Sequence, residues 1–351
     1  MRLEGLFAAA AAAALAGCET LAYYAQAVGG HLGLMARAQP VEALIADPGT
    51  PARLRERLAL ALSIRAFAAS ELKLPDNSSY RSYADLGRPF AVWNVVAAPE
   101  FSLAPVQSCF PVAGCVAYRG FFAKEDAERH AAALRRQGYD VHVHGVPAYS
   151  TLGRFDDPLL STFIGRPEAE LARLVFHELA HQVLYLKDDS TFNESFAVAV
   201  ERAGVRRWLS ATGREAQLGA FLEADHRGAE FRALLEQARG RLAKLYALPL
   251  APEAMRERKR AEFEALKAGY AELKRRWPGS GRDPAVPPPP DPDFAPNNAL
   301  LASYATYTEL VPAFERLLAE SGGDFERFYA RVRELGAAGV RALAKTPGAL
   351  R

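Results

Sequence analysis

Residues 167–186 read PEAELARLVFHELAHQVLYL. Pro167 suits the first position of a helix, and Glu168 and Glu170 favour a helix start because carboxylates near an N-terminus meet the positive end of the helix dipole. Leu174, Val175, Leu179, Val183, Leu184 and Leu186 are apolar, which predicts a mostly buried helix running to about Leu186. Lys187-Asp188-Asp189-Ser190 then breaks it. His177 and His181 are four residues apart, so their rings share one face, one turn apart. Histidine and glutamate are costly to bury unless paired or bound to metal.

Two imidazoles so placed can bind one metal ion, and with a carboxylate the set suits Zn2+. Glu178, next to His177, points beside that ion, where it can take a proton from water and deliver it to a leaving amine. A hydrolytic zinc site needs a third protein ligand and an open position. Glu194 is the candidate, on a second apolar helix (Phe196, Ala197, Val198, Val200) that a short connection folds back against the first. Thr191 to Glu194 also resembles a capping box, in which Glu194 would serve the helix start. Glu201, seven residues on, shares the face and could hold a histidine or replace Glu194 as ligand. Asp188 and Asp189 are further alternatives.

Working outward, residues 18–89 read as a helical segment broken by Pro40, Pro48 and Pro51, with Leu54, Leu58, Ala61, Leu62 and Arg65 at helical spacing. Residues 90–165 change character. Strands are expected at Phe90–Val96, Cys115–Arg119 and Tyr139–His144, with a helix over 125–137, so a β-α-β unit precedes the metal helix. A fourth strand is expected at 148–153. His142 and His144 alternate on one strand face and read as solvent-facing. Residues 166–210 form the helical core, 211–277 a charged helical hairpin, 278–296 a proline-rich loop, and 297–351 a last helical block. The fold class is α+β, mostly helical with a small sheet before the metal helix.

The chain has 351 residues, half of them hydrophobic, enough for a sizeable core. Lysine and arginine total 43 against 41 acidic residues, a net charge of +2, with signs interspersed as in Arg256–Glu262. That balance argues against a nucleic-acid partner. The first 17 residues read as a lipoprotein signal peptide: Arg2, a short apolar run, then Leu15-Ala16-Gly17 before Cys18, despite Glu4 in the basic region. Lipid on Cys18 would anchor the chain to a membrane on the periplasmic side of a bacterial envelope. Glu19, where an inner-membrane retention aspartate might sit, favours the outer membrane. In that oxidising setting, Cys109 and Cys115, around a turn-rich stretch, are expected to form a disulfide.

A peptidase also needs a donor to the developing oxyanion. Tyr149, just before the metal helix, and Tyr304 and Tyr307, after Asn297-Asn298, are the tyrosine candidates.

Several short motifs occur in one order: CFPVAGCVAYRG at 109–120, AYSTLG at 148–153, DPLLST at 157–162, HELAH at 177–181, FNESFA at 192–197 and NNA at 297–299. With them the chain resembles the zinc aminopeptidases found among proteobacterial lipoproteins, from the lipobox to about residue 345. The resemblance implies a zincin-like metallopeptidase with His177, His181 and Glu194 on zinc, Glu178 catalytic and a peptide as substrate. It also implies that residues 147–153 form a sheet edge that binds extended substrate, with Tyr149 at the cleft. The connection to Glu194 is shorter than in well-known aminopeptidases with a glutamate ligand, and no separate motif for a substrate amino group stands out. An envelope metalloendopeptidase or cell-wall-linked hydrolase, and a non-catalytic zinc-fold binding protein, are the competing functions; an intact Glu178 argues against the last.

Overall fold

The computed structural model describes residues 21, 23–110, 114–148, 150–277 and 294–345. The expected signal segment, Cys18, Tyr149 and most of the proline-rich stretch lie outside the described residues. The chain is mostly helical with small sheets, an α+β arrangement.

After a helical stretch over 23–35, the order is β1 (Gln39–Pro40), α1 (Val41–Ala46), α2 (Ala52–Leu72), β2 (Ser82–Ala84), β3 (Val92–Ala98), β4 (Ser108–Phe110), β5 (Gly114–Val116) and β6 (Arg119–Phe121). Then come α3 (Lys124–Arg136), β7 (Asp140–Val146), β8 (Leu159–Leu160), α4 (Glu168–Val183) and α5 (Ser190–Ala211). The long helices α6 (Glu215–Tyr246) and α7 (Pro252–Arg276) form the expected hairpin, and α8 (Asn298–Thr308), α9 (Val311–Glu320) and α10 (Phe325–Lys345) close the chain.

The main core gathers α2, α4, α5, α9 and α10. Phe196 of α5 is fully buried and meets Phe314, Phe328 and Tyr329 at centroid distances of 5.6, 5.8 and 5.9 Å. Truncating such a ring to alanine costs about 3–5 kcal/mol through lost contacts and a residual cavity. Gly204 lets α5 approach its neighbours, since a Cβ there would stand 2.6 Å from Leu72 and 2.9 Å from Phe176. The hairpin has its own core, in which Phe231, Leu235, Leu266 and Tyr270 pack with Leu300 and Leu301 of α8.

The β-α-β unit is a split one. Strands β6 and β7 both pair antiparallel with β3, which lies between them, and α3 crosses over from one to the other. One sheet face carries Val95, Val141 and Val143 against Ala127 and Ala131 of α3. The opposite face carries Val96 and Ala98, which pack with Ala299 of α8 and with Tyr118. His142 pairs with Val96 and His144 with Asn94, so both histidines project from this second face by the alternation of a strand. They stack at 5.1 Å and are half-buried, not solvent-facing as expected. Burial lowers the pKa of each, that of His144 to about 4.

The strand expected at 148–153 is absent from the described residues of that range. Its described residues lie in a loop, where Leu152 and Gly153 adopt φ of 59° and 75° and so depart from extended backbone. The substrate edge assigned to 147–153 is therefore withdrawn. The strand that precedes α4 in the chain is instead β8, which pairs parallel with β2 in a small sheet β1-β2-β8.

Cys109 and Cys115 are joined as a disulfide across the β4–β5 hairpin. The hairpin docks on the turn between α4 and α5, where the Cys115 N–H donates to Asp188 Oδ1 at 2.6 Å.

Candidate metal centre

Helices α4 and α5 pack side by side along the middle of the core. His177 and His181, one turn apart on α4, meet edge to face with centroids 4.8 Å apart, and their Nε2 atoms are separated by 3.2 Å. From α5, Glu194 Oε2 reaches to 3.3 Å of His177 Nε2 and 3.6 Å of His181 Nε2. Three donors bound tetrahedrally to one zinc ion, at roughly 2.0–2.1 Å each, stand about 3.3 Å from one another. The spacing fits, and the chemistry of two imidazoles plus one carboxylate fits as well. Among the described residues no other group of three or more histidine, cysteine or acidic side chains converges in this way.

The start of α5 removes the capping-box reading of Glu194. Asp189, not Thr191, is the N-cap, accepting from Phe192 N–H at 3.1 Å. Glu194 is thus past the first turn, where backbone N–H groups already have partners, and its carboxylate faces the histidines. Asn193 beside it fixes the connection. Its Oδ1 accepts from Leu186 N–H and its Nδ2 donates to Leu186 O, both at 2.7 Å. Asp188 and Asp189, considered as ligands, are engaged elsewhere: Asp188 with Cys115, Asp189 with the helix start and with Arg341 at 2.6 Å.

Glu201, two turns along α5, takes the supporting place. Its Oε2 lies 2.7 Å from His177 Nδ1, which orients Nε2 toward the cluster. Its Oε1 accepts from Arg173 at 3.3 Å, and Arg173 also donates to Glu170 at 2.8 Å. A ligating histidine held by a carboxylate through its other nitrogen is the usual outer support of a zinc site. The electrostatics point the same way. Burial acts to lower the His177 pKa, but Glu194 and Glu201 outweigh it and raise it to about 10. Burial acts to raise Glu194, yet the two histidines hold it down to about 2.

Glu178 is 7% exposed, and burial lifts its pKa above the ordinary carboxylate range against the pull of His177 and His181. Tyr307 lies close enough for Glu194, Glu178 and Glu201 to act on it, and burial first, then these charges, pushes its phenol pKa well up. Tyr304 is turned away into the hairpin core, 5.5 Å from the Phe231 ring. Tyr149 lies outside the described residues.

Sequence reasoning missed Tyr118. It sits between β5 and β6, and burial together with Glu194 and Glu178 raises its pKa. Its place just after the disulfide hairpin was the available signal. Asp157 was also missed as a site residue. It is 3% exposed, and burial raises its pKa to about 6 against the Thr151 hydrogen bonds, with Glu178 adding to the rise.

No curated protein and no solved structure matches the chain. One family model does, over residues 22–344, a span that contains every residue of the cluster. The chain belongs to the family described as "Putative aminopeptidase".

Proposed function

We propose that this chain is a zinc-dependent aminopeptidase with a zincin-like catalytic core. The observation that carries the reading is the convergence of His177 Nε2, His181 Nε2 and a Glu194 oxygen within 4.8 Å, beside a buried Glu178. A zinc ion held by these three side chains would supply Lewis acidity toward a peptide carbonyl and toward water. The rest is the work of the chain. The Glu178 carboxylate takes a proton from the attacking water and passes it to the departing amine nitrogen. Its raised pKa suits it to both halves of that transfer. Glu201 keeps the His177 proton on Nδ1 and leaves Nε2 free to ligate. The Tyr307 phenol, held protonated by burial and by the acidic cluster, donates to the oxygen on which negative charge develops, and Tyr118 is its neighbour in that role.

The substrate is a peptide. The mature chain is anchored by lipid on Cys18 to the periplasmic side of the envelope, at the outer membrane. Among the described residues no helix is long and apolar enough to cross a membrane.

The test uses mature protein with Cys18 removed, loaded with zinc, and peptides supplied both free and N-acetylated. Stepwise loss of N-terminal residues from the free peptides alone, absent in Glu178→Gln, is the expected result. Internal cuts in both peptide forms would replace the aminopeptidase reading with an endopeptidase. Cleavage by Glu178→Gln at the wild-type rate would end the mechanism.

A further inference from the structure

Asp157 is a carboxylate the reaction above does not use. Its Oδ2 accepts from Thr151 N–H at 2.9 Å, and its backbone carbonyl accepts from Tyr80 N–H at 2.6 Å. Among the described residues no arginine, lysine or histidine pairs with it, although it is 3% exposed. An ionisable group buried without a counter-charge costs stability, and beside a reactive cluster it is a candidate for a ligand that supplies the missing charge.

The place of Asp157 says which ligand. Glu178 and Gln182 are four residues apart on one face of α4. The Gln182 amide accepts from Asn77 Nδ2 at 2.7 Å and donates to Ser79 Oγ at 3.2 Å. Residues 77–80 thus stand against that face, and Tyr80 hands the same attachment on to Asp157. From the other side, Gly153 of the Asp157 loop comes so near Gln182 that a Cβ there would stand 3.3 Å from Gln182 Oε1. Arg65, 1% exposed, fastens the 76–79 segment from behind through Ser79 O and Asp76 Oδ1, both at 2.7 Å. Asp157 is therefore fixed beside the Glu178 face, near enough for the Glu178 charge to act on it.

We propose that Asp157 is the anchor for the α-ammonium group of the substrate. The inference rests on the aminopeptidase reading and deepens it: a cation bound at Asp157 places the first peptide bond, and no later one, at Glu178. Thr151 is the hydrogen-bond partner of the carboxylate and brings no charge, so an ammonium would supply the counter-charge that Asp157 lacks.

The test is a binding measurement on the zinc-loaded protein, with alanine and leucine hydroxamates and their N-acetyl forms as probes. Asn at 157 keeps an acceptor for Thr151 N–H while removing the charge. Losing one partner of a desolvated charge pair is expected to weaken binding of the free-amine hydroxamates by about 30-fold or more. The N-acetyl forms should bind Asp157→Asn and wild type within about threefold of each other, a margin far below that loss. Zinc content should be equal in the two proteins. Asp157→Glu, which keeps the charge on a longer arm, should recover part of the loss. A wild-type preference for the free amine that survives Asp157→Asn overturns the assignment alone. Equal weakening of both probe forms would make the role structural and overturn it too. If wild type binds free and acetylated probes alike, the aminopeptidase reading and the anchor fall together.

Discussion

Replacing Glu201 with glutamine should loosen the metal without unfolding the protein. The Glu201 carboxylate spans two partners, His177 Nδ1 at 2.7 Å and Arg173 at 3.3 Å. Glutamine keeps the shape and can still accept from Nδ1–H through its carbonyl oxygen. It loses the negative charge that strengthens His177 as a ligand, and with its oxygen on Nδ1–H its NH2 faces the Arg173 guanidinium donor to donor, so that hydrogen bond is lost. Loss of such a supporting carboxylate typically costs 10–100-fold in metal affinity, or about 1.4–2.7 kcal/mol. Folding should suffer less, because Arg173 retains Glu170 at 2.8 Å. The assay is zinc competition against a chelator of known affinity, with urea unfolding of the metal-free protein beside it. A rise of about 10–100-fold in zinc Kd with a small shift in the urea midpoint is expected. An unchanged zinc Kd would refute the supporting role of Glu201 and leave it a partner of Arg173 alone.

Tyr307→Phe should lower kcat by about 10–1000-fold with little change in KM, as expected for loss of a donor used only when the oxyanion develops. If Tyr307→Phe is silent and Tyr118→Phe shows that loss instead, the donor is Tyr118. Arg65→Met should destabilise the protein by about 3 kcal/mol, because it strands the Ser79 and Asn77 carbonyls that the buried guanidinium satisfies; urea unfolding reads this. Asp157→Asn should stabilise the protein near neutral pH. The folded pKa of about 6 lies above the ordinary 3.8, so the native state binds more protons than the unfolded state between those values. Wild-type stability then falls as pH rises through that window, by about 3 kcal/mol in all, and Asn removes the fall. Thermal unfolding of the metal-free proteins between pH 4 and pH 7.5 checks it; identical pH slopes for the two would contradict it.

The parts of the site that were legible in the sequence are those set by local geometry. His177, Glu178 and His181 occupy one helix, and a spacing of four fixes their faces whatever surrounds them. Glu194 was legible as a candidate because a short connection leaves the next helix few places to go. Its other reading, as part of a capping box, stood because Thr191 suits a cap, and only the structure shows that Asp189 takes that place. Glu201 was visible by its periodicity, though its choice of the histidine over the metal depends on where α4 lies.

What escaped the reading depends on contacts distant in sequence. Residues 147–153 have strand-like composition, yet Leu152 and Gly153 leave the extended region and, among the described residues, no strand pairs with the segment. His142 and His144 alternate as surface residues do, but α8 and the segment around Tyr118 cover part of the face they occupy. Tyr118 lies on the link between the short strands β5 and β6, where one strand was expected, and the charges of Glu194 and Glu178 act on it there. Asp157 sat inside a recognised motif, but that no cation among the described residues pairs with it depends on contacts distant in sequence and cannot be read from neighbours in the chain. Within the β-α-β stretch the elements were legible, whereas the insertion of β3 between β6 and β7 is a matter of topology.

The metal content of the purified protein tests the central claim most directly. After zinc loading and removal of loosely held ions, elemental analysis should find one zinc per chain in wild type. Glu178→Gln should keep it, because Glu178 stands beside the ion and does not ligate it. Glu194→Ala and His181→Ala should lose it. A wild-type protein that holds no zinc, or a Glu194→Ala variant that holds as much as wild type, would contradict the account.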